Sequence, residues 1–220
     1  MQQVVLSAPE LAGFRYRPGQ DVMLMVAVDG DRPVRRRYTI RDIDAERRLL
    51  TLGIVRHDGG PGERWVATAR AGDRIEGIGP RGKIFPAAGV DWHLFAGDFS
   101  ALPAYFAMAS SLPAGQRATV ILEVPGPADE QDLTAAAQVE LTWLYSGGRR
   151  PGDPTALAGA LAGVTLPPGT GHVYLAGEAR LVLALREVLA ARGMPADRVS
   201  PKAYWGLGKA NAAHGEPARD

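Results

Sequence analysis

The run Arg36-Arg37-Tyr38-Thr39-Ile40-Arg41 brings a cation, an aromatic plate and a hydroxyl within reach of one another. On a strand with side-chain period two, Arg36 and Tyr38 share one face, and Arg37, Thr39 and Arg41 share the other unless the strand ends locally. A guanidinium can grip a diphosphate in bidentate fashion, and an aromatic ring can cover an isoalloxazine. A threonine hydroxyl at the strand's end can reach the reacting edge of that ring. Those three functions together suit a flavin dinucleotide. The string is also compatible with an exposed strand that has a basic face, and by itself it leaves both readings open.

Four further runs follow in order: His57-Asp58-Gly59-Gly60-Pro61-Gly62-Glu63-Arg64-Trp65, Gly72-Asp73 with Gly79-Pro80-Arg81-Gly82, Gly97-Asp98-Phe99-Ser100-Ala101-Leu102-Pro103-Ala104, and Tyr204-Trp205. With this order and spacing the chain resembles the siderophore-interacting proteins, FAD-dependent ferric-siderophore reductases of the ferredoxin-reductase-like superfamily, over nearly its whole length. The resemblance implies a flavin motif at Arg36, Tyr38, Thr39, Ile40 and Arg41. It implies a second flavin loop through His57, Gly59, Gly60, Pro61, Gly62 and Trp65, and a nicotinamide-type lobe that begins at Gly97, Asp98 and Ser100. Gly177-Glu178 resembles the family's turn near the nicotinamide, and Trp205 belongs to a pair that continues toward the flavin. The activity implied is electron transfer from NADH or NADPH through FAD to a ferric siderophore, with release of ferrous iron and with Thr39 as the contact at flavin N5.

The chain departs from the family pattern at three places. Phe99 stands where the family's run usually has glutamate, Met23 stands where a strand lysine is common, and Gly206-Leu207 intervene after Tyr204-Trp205 before Gly208-Lys209. Lys209 and Arg81, with Lys202, are the cations left to meet an anionic chelate. Two rival functions therefore stay open. One is a general NAD(P)H-flavin oxidoreductase with another acceptor, and the other is a non-catalytic siderophore-binding module.

Composition narrows the classes. With no cysteine among 220 residues, disulfides, iron-sulfur clusters and thiolate metal sites are excluded, and a reducing cytoplasmic setting is expected. No protein-held metal is expected either, because the histidines lack ligand spacing. The formal charge is +1, which suggests no nucleic-acid partner, and no run of about 18 apolar residues suggests membrane insertion. A monomer is expected. Through residue 89 there are 15 basic and 11 acidic residues, and beyond it 10 and 13, so the first part is the better phosphate binder.

These side chains need a scaffold. Alternating stretches predict strands near Gln3–Leu6, Asp21–Val28, Arg35–Arg41, Leu49–Val55 and Arg74–Ile78, with one helix starting at Pro61. That pattern fits an N-terminal antiparallel Greek-key β-barrel of the FAD-binding ferredoxin-reductase type. A closed barrel wants about six strands, so the first strand is expected at an exposed margin, or the start is truncated. After Pro86–Gly89 apolar strands alternate with helices, which predicts a Rossmann-like parallel α/β NAD(P)-binding lobe. Expected strands are Trp92–Ala96, Thr119–Val124, Glu140–Tyr145, His172–Ala176 and one running into Tyr204-Trp205. Expected helices are Ala101–Leu112, a short one in Pro154–Ala162, and Arg180–Arg192, while Pro125–Ala137 reads as a loop leading into a helix. The domains are expected at 1–89 and 90–205, with a tail at 206–220.

Several residues carry two readings. The turn at Gly97–Pro103 is either a nucleotide site or a helix cap. Glu178 is either a nicotinamide contact or a capping acid. Arg149 and Arg150 can meet an adenosine 2′-phosphate and Glu123 can meet ribose hydroxyls, or all three are solvated ends. His57 contacts the flavin or is structural, and Trp65 leans toward packing.

Overall fold

The computed structural model describes residues 1–56 and 60–207. The chain divides into two compact units, Met1–Phe85 and Pro86–Asp220.

In the first unit β1 (Gln2–Ser7), β2 (Asp21–Asp29), β3 (Arg32–Asp44), β4 (Leu49–Ile54) and β5 (Gly77–Arg81) form an antiparallel, barrel-like sheet in the order β1-β4-β3-β2-β5. Gly30, at φ +56°, turns β2 into β3, a backbone conformation that glycine adopts without steric cost. β1 pairs only with β4 among the described residues and lies at one margin. It turns Val4 and Leu6 toward the core and leaves Val5 exposed. β3 is longer than predicted and carries a bulge at Arg41, because Ile40 pairs with Leu52 while Asp42 pairs with Thr51. β5 begins three residues later than predicted, where Gly77 meets Leu24 of β2 and the ladder starts. Helix α1 (Pro61–Thr68) starts at its proline and buries Val66 in a core with Leu24, Ile40, Leu50, Leu52 and Ile54.

The second unit is a parallel sheet of β6 (Trp92–Asp98), β7 (Arg117–Val124), β8 (Gln138–Tyr145), β9 (Gly171–Glu178) and β10 (Val199–Trp205), in the order β10-β9-β6-β7-β8. Helices α2 (Leu102–Ser110), α3 (Thr155–Gly163) and α4 (Ala179–Ala191) connect strands. β6 is apolar almost throughout, and Trp92 to Gly97 are all buried, as a central strand covered on both faces requires. The predicted helix before β8 is absent. A 3-10 turn at Pro127–Asp129 leads into extended chain whose residues alternate between more and less exposed, and Ser110 Oγ donates to the Thr134 carbonyl. The acidic segment has no apolar stripe at helical spacing to bury, so nothing stabilises a helix there. None of the helices among the described residues is long and apolar enough to cross a membrane.

The strand order reverses between β6 and β9, since β7 and β8 lie to one side and β10 to the other. Ligands of open α/β sheets bind beyond the carboxyl ends of the strands at such a switch point. Gly97-Asp98 and Gly177-Glu178 stand at those two ends.

Candidate functional site

In the first unit β3 presents Arg36 and Tyr38 to the start of α1. A Cβ built on Gly62 would overlap the Tyr38 hydroxyl and approach Arg36 Cγ to 3.4 Å, so the phenol, the arginine stem and the helix backbone meet at one point. Gly60 is the N-cap of α1 and supplies no side-chain cap, and Pro61 brings no N–H to the first turn. The Arg36 stem passes this helix start and its Nη1 donates to the Arg35 carbonyl at 2.9 Å; a glycine-lined helix start of this kind can receive an anion. Trp65 lies 6.2 Å from Tyr38 between ring centroids, tilted by 34°, and packs against the core. Burial pushes the Tyr38 phenol up to about 12, with Arg36 opposing and Glu63 reinforcing, so the ring stays neutral across the working range.

The opposite face of β3 is organised differently. Asp21, buried and opposite Thr39 in register, accepts from Arg37 Nε at 2.8 Å and from Arg37 Nη2 at 2.7 Å. This fork fixes the strand that carries the motif. Thr39, 8% exposed, lies on the Asp21 side by alternation and away from Tyr38. Ile40, expected as a cofactor contact, has its side chain fully buried in the core, and its N–H donates to the Gln20 carbonyl. Arg41 is the extra residue of the bulge, half-buried, with its basicity lowered by burial. Arg81 is exposed on β5, opposite Asp21 in register. His57, Gly59 and Lys209 lie outside the described residues.

In the second unit the strand ends are tied to one another. Asp98 Oδ1 accepts from the Ser100 N–H at 2.9 Å and from the Ser100 hydroxyl at 2.5 Å. Asp98 Oδ2 accepts from the Glu178 N–H at 2.7 Å and from Trp205 Nε1 at 3.0 Å. Burial pushes the Asp98 carboxyl up, and these four donors hold it down. Glu178 Oε2 accepts from the N–H groups of Arg180 and Leu181 and thereby caps α4, while Oε1 accepts from the Leu207 N–H. Of the two readings for Glu178, the cap is the one its hydrogen bonds display. All four bonds to the Asp98 carboxylate and all three to the Glu178 carboxylate come from the protein. A Cβ on Gly177, at φ +140°, would stand 2.6 Å from Asp98 Oδ2, so only glycine lets the two strand ends close. Beside them Glu123 Oε1 accepts from Arg149 Nη2 at 3.1 Å.

The first unit thus sets a helix start without a side-chain cap beside an arginine stem and an aromatic ring, and the second has a switch point in its strand order. Within these regions two family models match: the siderophore-interacting FAD-binding domain over residues 20–84 and the siderophore-interacting protein over residues 90–208. The chain belongs to the siderophore-interacting protein family. The ferric vibriobactin reductase ViuB of Vibrio cholerae is 33% identical over 189 residues, covering 84% of this chain and 69% of that protein. The NADPH-dependent ferric-chelate reductase of Escherichia coli is 27% identical over 180 residues, covering 80% and 68%. A solved siderophore utilization protein from T. fusca superposes with a TM-score of 0.85 at 34% identity, covering 96% of this chain and 89% of that one. A ferredoxin reductase of carbazole 1,9a-dioxygenase, at 21% identity and a TM-score of 0.66 over 92% and 64%, shares the ferredoxin-reductase-like fold.

For this family member, the sequence pointed to Arg36, Tyr38, Gly60, Pro61, Gly62 and Trp65, and the structure gathers them at one corner of the first unit. Gly97, Asp98, Ser100, Gly177, Glu178 and Trp205 gather at the switch point of the second. Sequence reasoning missed Asp21, whose only signal is an acid at the start of a strand paired with a strand rich in arginine.

Proposed function

We propose that this protein is a flavin-dependent ferric-siderophore reductase in which NADH or NADPH supplies electrons to FAD and a ferric siderophore receives them. The observation that carries the reading is the meeting of Arg36, Tyr38 and Gly62 at the uncapped start of α1, inside the segment that matches the FAD-binding domain. Arg36, with the Gly60 and Gly62 backbone, holds the diphosphate, and the neutral Tyr38 ring covers one face of the isoalloxazine. Thr39, next to Tyr38 along β3, supplies the hydroxyl at the reacting edge, and Pro61 and Trp65 line the same corner. When bound, flavin takes a hydride and passes electrons on singly. The switch point around Gly97, Ser100 and Gly177 receives the nicotinamide nucleotide, held in shape by Asp98, Glu178 and Trp205. Arg81, exposed on β5, is a cation available to the anionic chelate.

Siderophore oxygens are hard donors that prefer ferric iron, so reduction loosens the chelate and frees the metal. The iron arrives with the substrate. A monomer working in a reducing cytoplasm accompanies this reading. The deciding experiment is the visible spectrum of the purified protein with FAD, recorded anaerobically before and after NADH or NADPH, with a ferric siderophore added last beside a ferrous trap. Bleaching by the nucleotide followed by recovery and ferrous trapping is expected. A protein that stays colourless and takes up no FAD would overturn the proposal. A second reading is a flavin oxidoreductase with another acceptor, favoured by Met23, which stands on β2 between Arg37 and Ile78 where the family commonly carries a lysine. Bleaching without any response to ferric chelates selects it.

A further inference from the structure

The carboxyl edge of the second unit holds one ion pair that no positioning role accounts for. Glu123 is the second-to-last residue of β7, the strand next to β6 on the side away from the switch, and Arg149 follows β8. Arg149 Nη2 donates to Glu123 Oε1 at 3.1 Å and also to the Tyr145 carbonyl at 2.9 Å. Glu123 Oε2 and Arg149 Nε are both buried and find no hydrogen-bond partner among the described residues. A buried acceptor and a buried donor left open in the same pair are costly, because each has lost water without replacement. The arrangement asks for a group that donates to one and accepts from the other.

A hydroxyl is such a group, and a phosphate is not, since a phosphate ester ionised at neutral pH only accepts. The surrounding charge points the same way. Burial disfavours the ionised Glu123, Arg149 opposes that, and the negative charges of Asp153 and Asp98 add to it, as a further phosphate would. In a sheet of this type the acid at the end of the second strand meets the adenosine ribose. We infer that the Glu123–Arg149 pair is the donor-selecting element, which seats the 2′-hydroxyl of the adenosine ribose and turns away a 2′-phosphate, so that this protein takes NADH in preference to NADPH. The Arg149 side chain is 36% exposed and that of Glu123 11%, so the ligand approaches from the arginine side. Arg149 orients the carboxylate rather than gripping a phosphate. The inference rests on the nucleotide-dependent reading above and goes beyond it by choosing between the two donors.

The test separates the two. Titration calorimetry on the full-length wild-type protein compares ADP-ribose with 2′-phospho-ADP-ribose, fragments that bind without reducing a flavin. ADP-ribose should bind at least about tenfold more tightly, as expected where a carboxylate opposes an added phosphate. Glu123→Gln removes the charge and keeps the shape, and it should narrow that ratio several-fold, mainly by improving the phosphorylated fragment. Arg150→Ala, at the exposed neighbouring cation, should leave the ratio in place. Equal binding of the two fragments, tighter binding of the phosphorylated one, or no binding of either would overturn the inference. The wild-type comparison needs no variant to fold. A tenfold preference in a protein that reduces no ferric chelate would uphold the inference and sink the reductase reading, whereas reduction with no preference would do the reverse.

Discussion

The Tyr38 hydroxyl occupies the space in which a side chain on Gly62 would begin. The aromatic plate and the anion-accepting helix start are therefore one structure, although they lie on different elements. In Gly62→Ala the new methyl must displace the phenol or the first turn, a cost of about 1–3 kcal/mol for overpacking. FAD affinity should fall with it, read from the fraction of flavin retained on dialysis. In the double variant Gly62→Ala with Tyr38→Phe, removal of the hydroxyl makes room, so part of both losses should return. Additive losses would mean that the two residues do not share the space in solution.

The fork between Arg37 and Asp21 sets a second expectation. Asp21 is 3% exposed and Arg37 about a quarter exposed, so Arg37→Ala strands a buried carboxylate beside the motif strand. A fully buried pair broken this way costs about 3–5 kcal/mol, and partial exposure of Arg37 brings the expectation to the low end, about 3 kcal/mol. Arg37→Lys keeps the charge and loses the planar fork, and it should recover only part of the midpoint in urea unfolding. A midpoint unchanged by Arg37→Ala would show that the fork contributes nothing to the barrel.

Stability should fall on mild acidification. His93 and His172 face each other across β6 and β9, and burial holds both below the ordinary value of 6.5. Further causes act on each: the Gln116 amide oxygen, an acceptor for the imidazolium, opposes the shift at His93, while at His172 Arg198 adds to it and Asp197 opposes it. With the folded pKa depressed, the unfolded chain binds more protons between the folded value and 6.5. Stability is therefore fully present above about pH 6.5 and is lost as the pH drops below it. Urea midpoints at pH 7.5 and 5.5 should differ in that direction, and His93→Gln should flatten the slope. A slope of opposite sign would remove the histidines from the account.

How much of this was legible in the sequence follows the range of the interactions. Strand alternation and turn residues are local, and they foretold five barrel strands, the α1 start at Pro61 and the parallel lobe. The grouping of Arg36, Tyr38 and Gly62 was legible because strand period and a glycine-proline helix start are short-range signals. The Asp98 cluster was not, since its donors come from residues 80 and 107 positions away as well as from Ser100. Glu178 could be read as cap or contact until its hydrogen bonds to Arg180 and Leu181 were seen. The segment Pro125–Ala137 misled because alanine and acid content favour helix locally, whereas a helix in a protein is held mainly by an apolar face that this segment lacks.

Thr39 gives the most direct test of the proposed chemistry. It is nearly buried, opposite Asp21, and one residue from Tyr38 along β3, so Thr39→Val removes one hydroxyl and leaves the tyrosine ring and the start of α1 untouched. A hydroxyl that bonds the reacting edge of the flavin should matter to the rate of its reduction and little to its retention. One such bond contributes about 1 kcal/mol, hence a several-fold to tenfold slowing in Thr39→Val. Thr39→Ser keeps the donor and should restore most of the rate. The measurement is anaerobic stopped-flow loss of the flavin's visible absorbance across nicotinamide concentrations, which separates a fall in the limiting rate from a change in apparent affinity. If Thr39→Val reduces as fast as the wild type while Thr39→Ser does not differ from either, the hydroxyl takes no part at the ring edge. The register with Asp21 would then be a matter of strand packing alone.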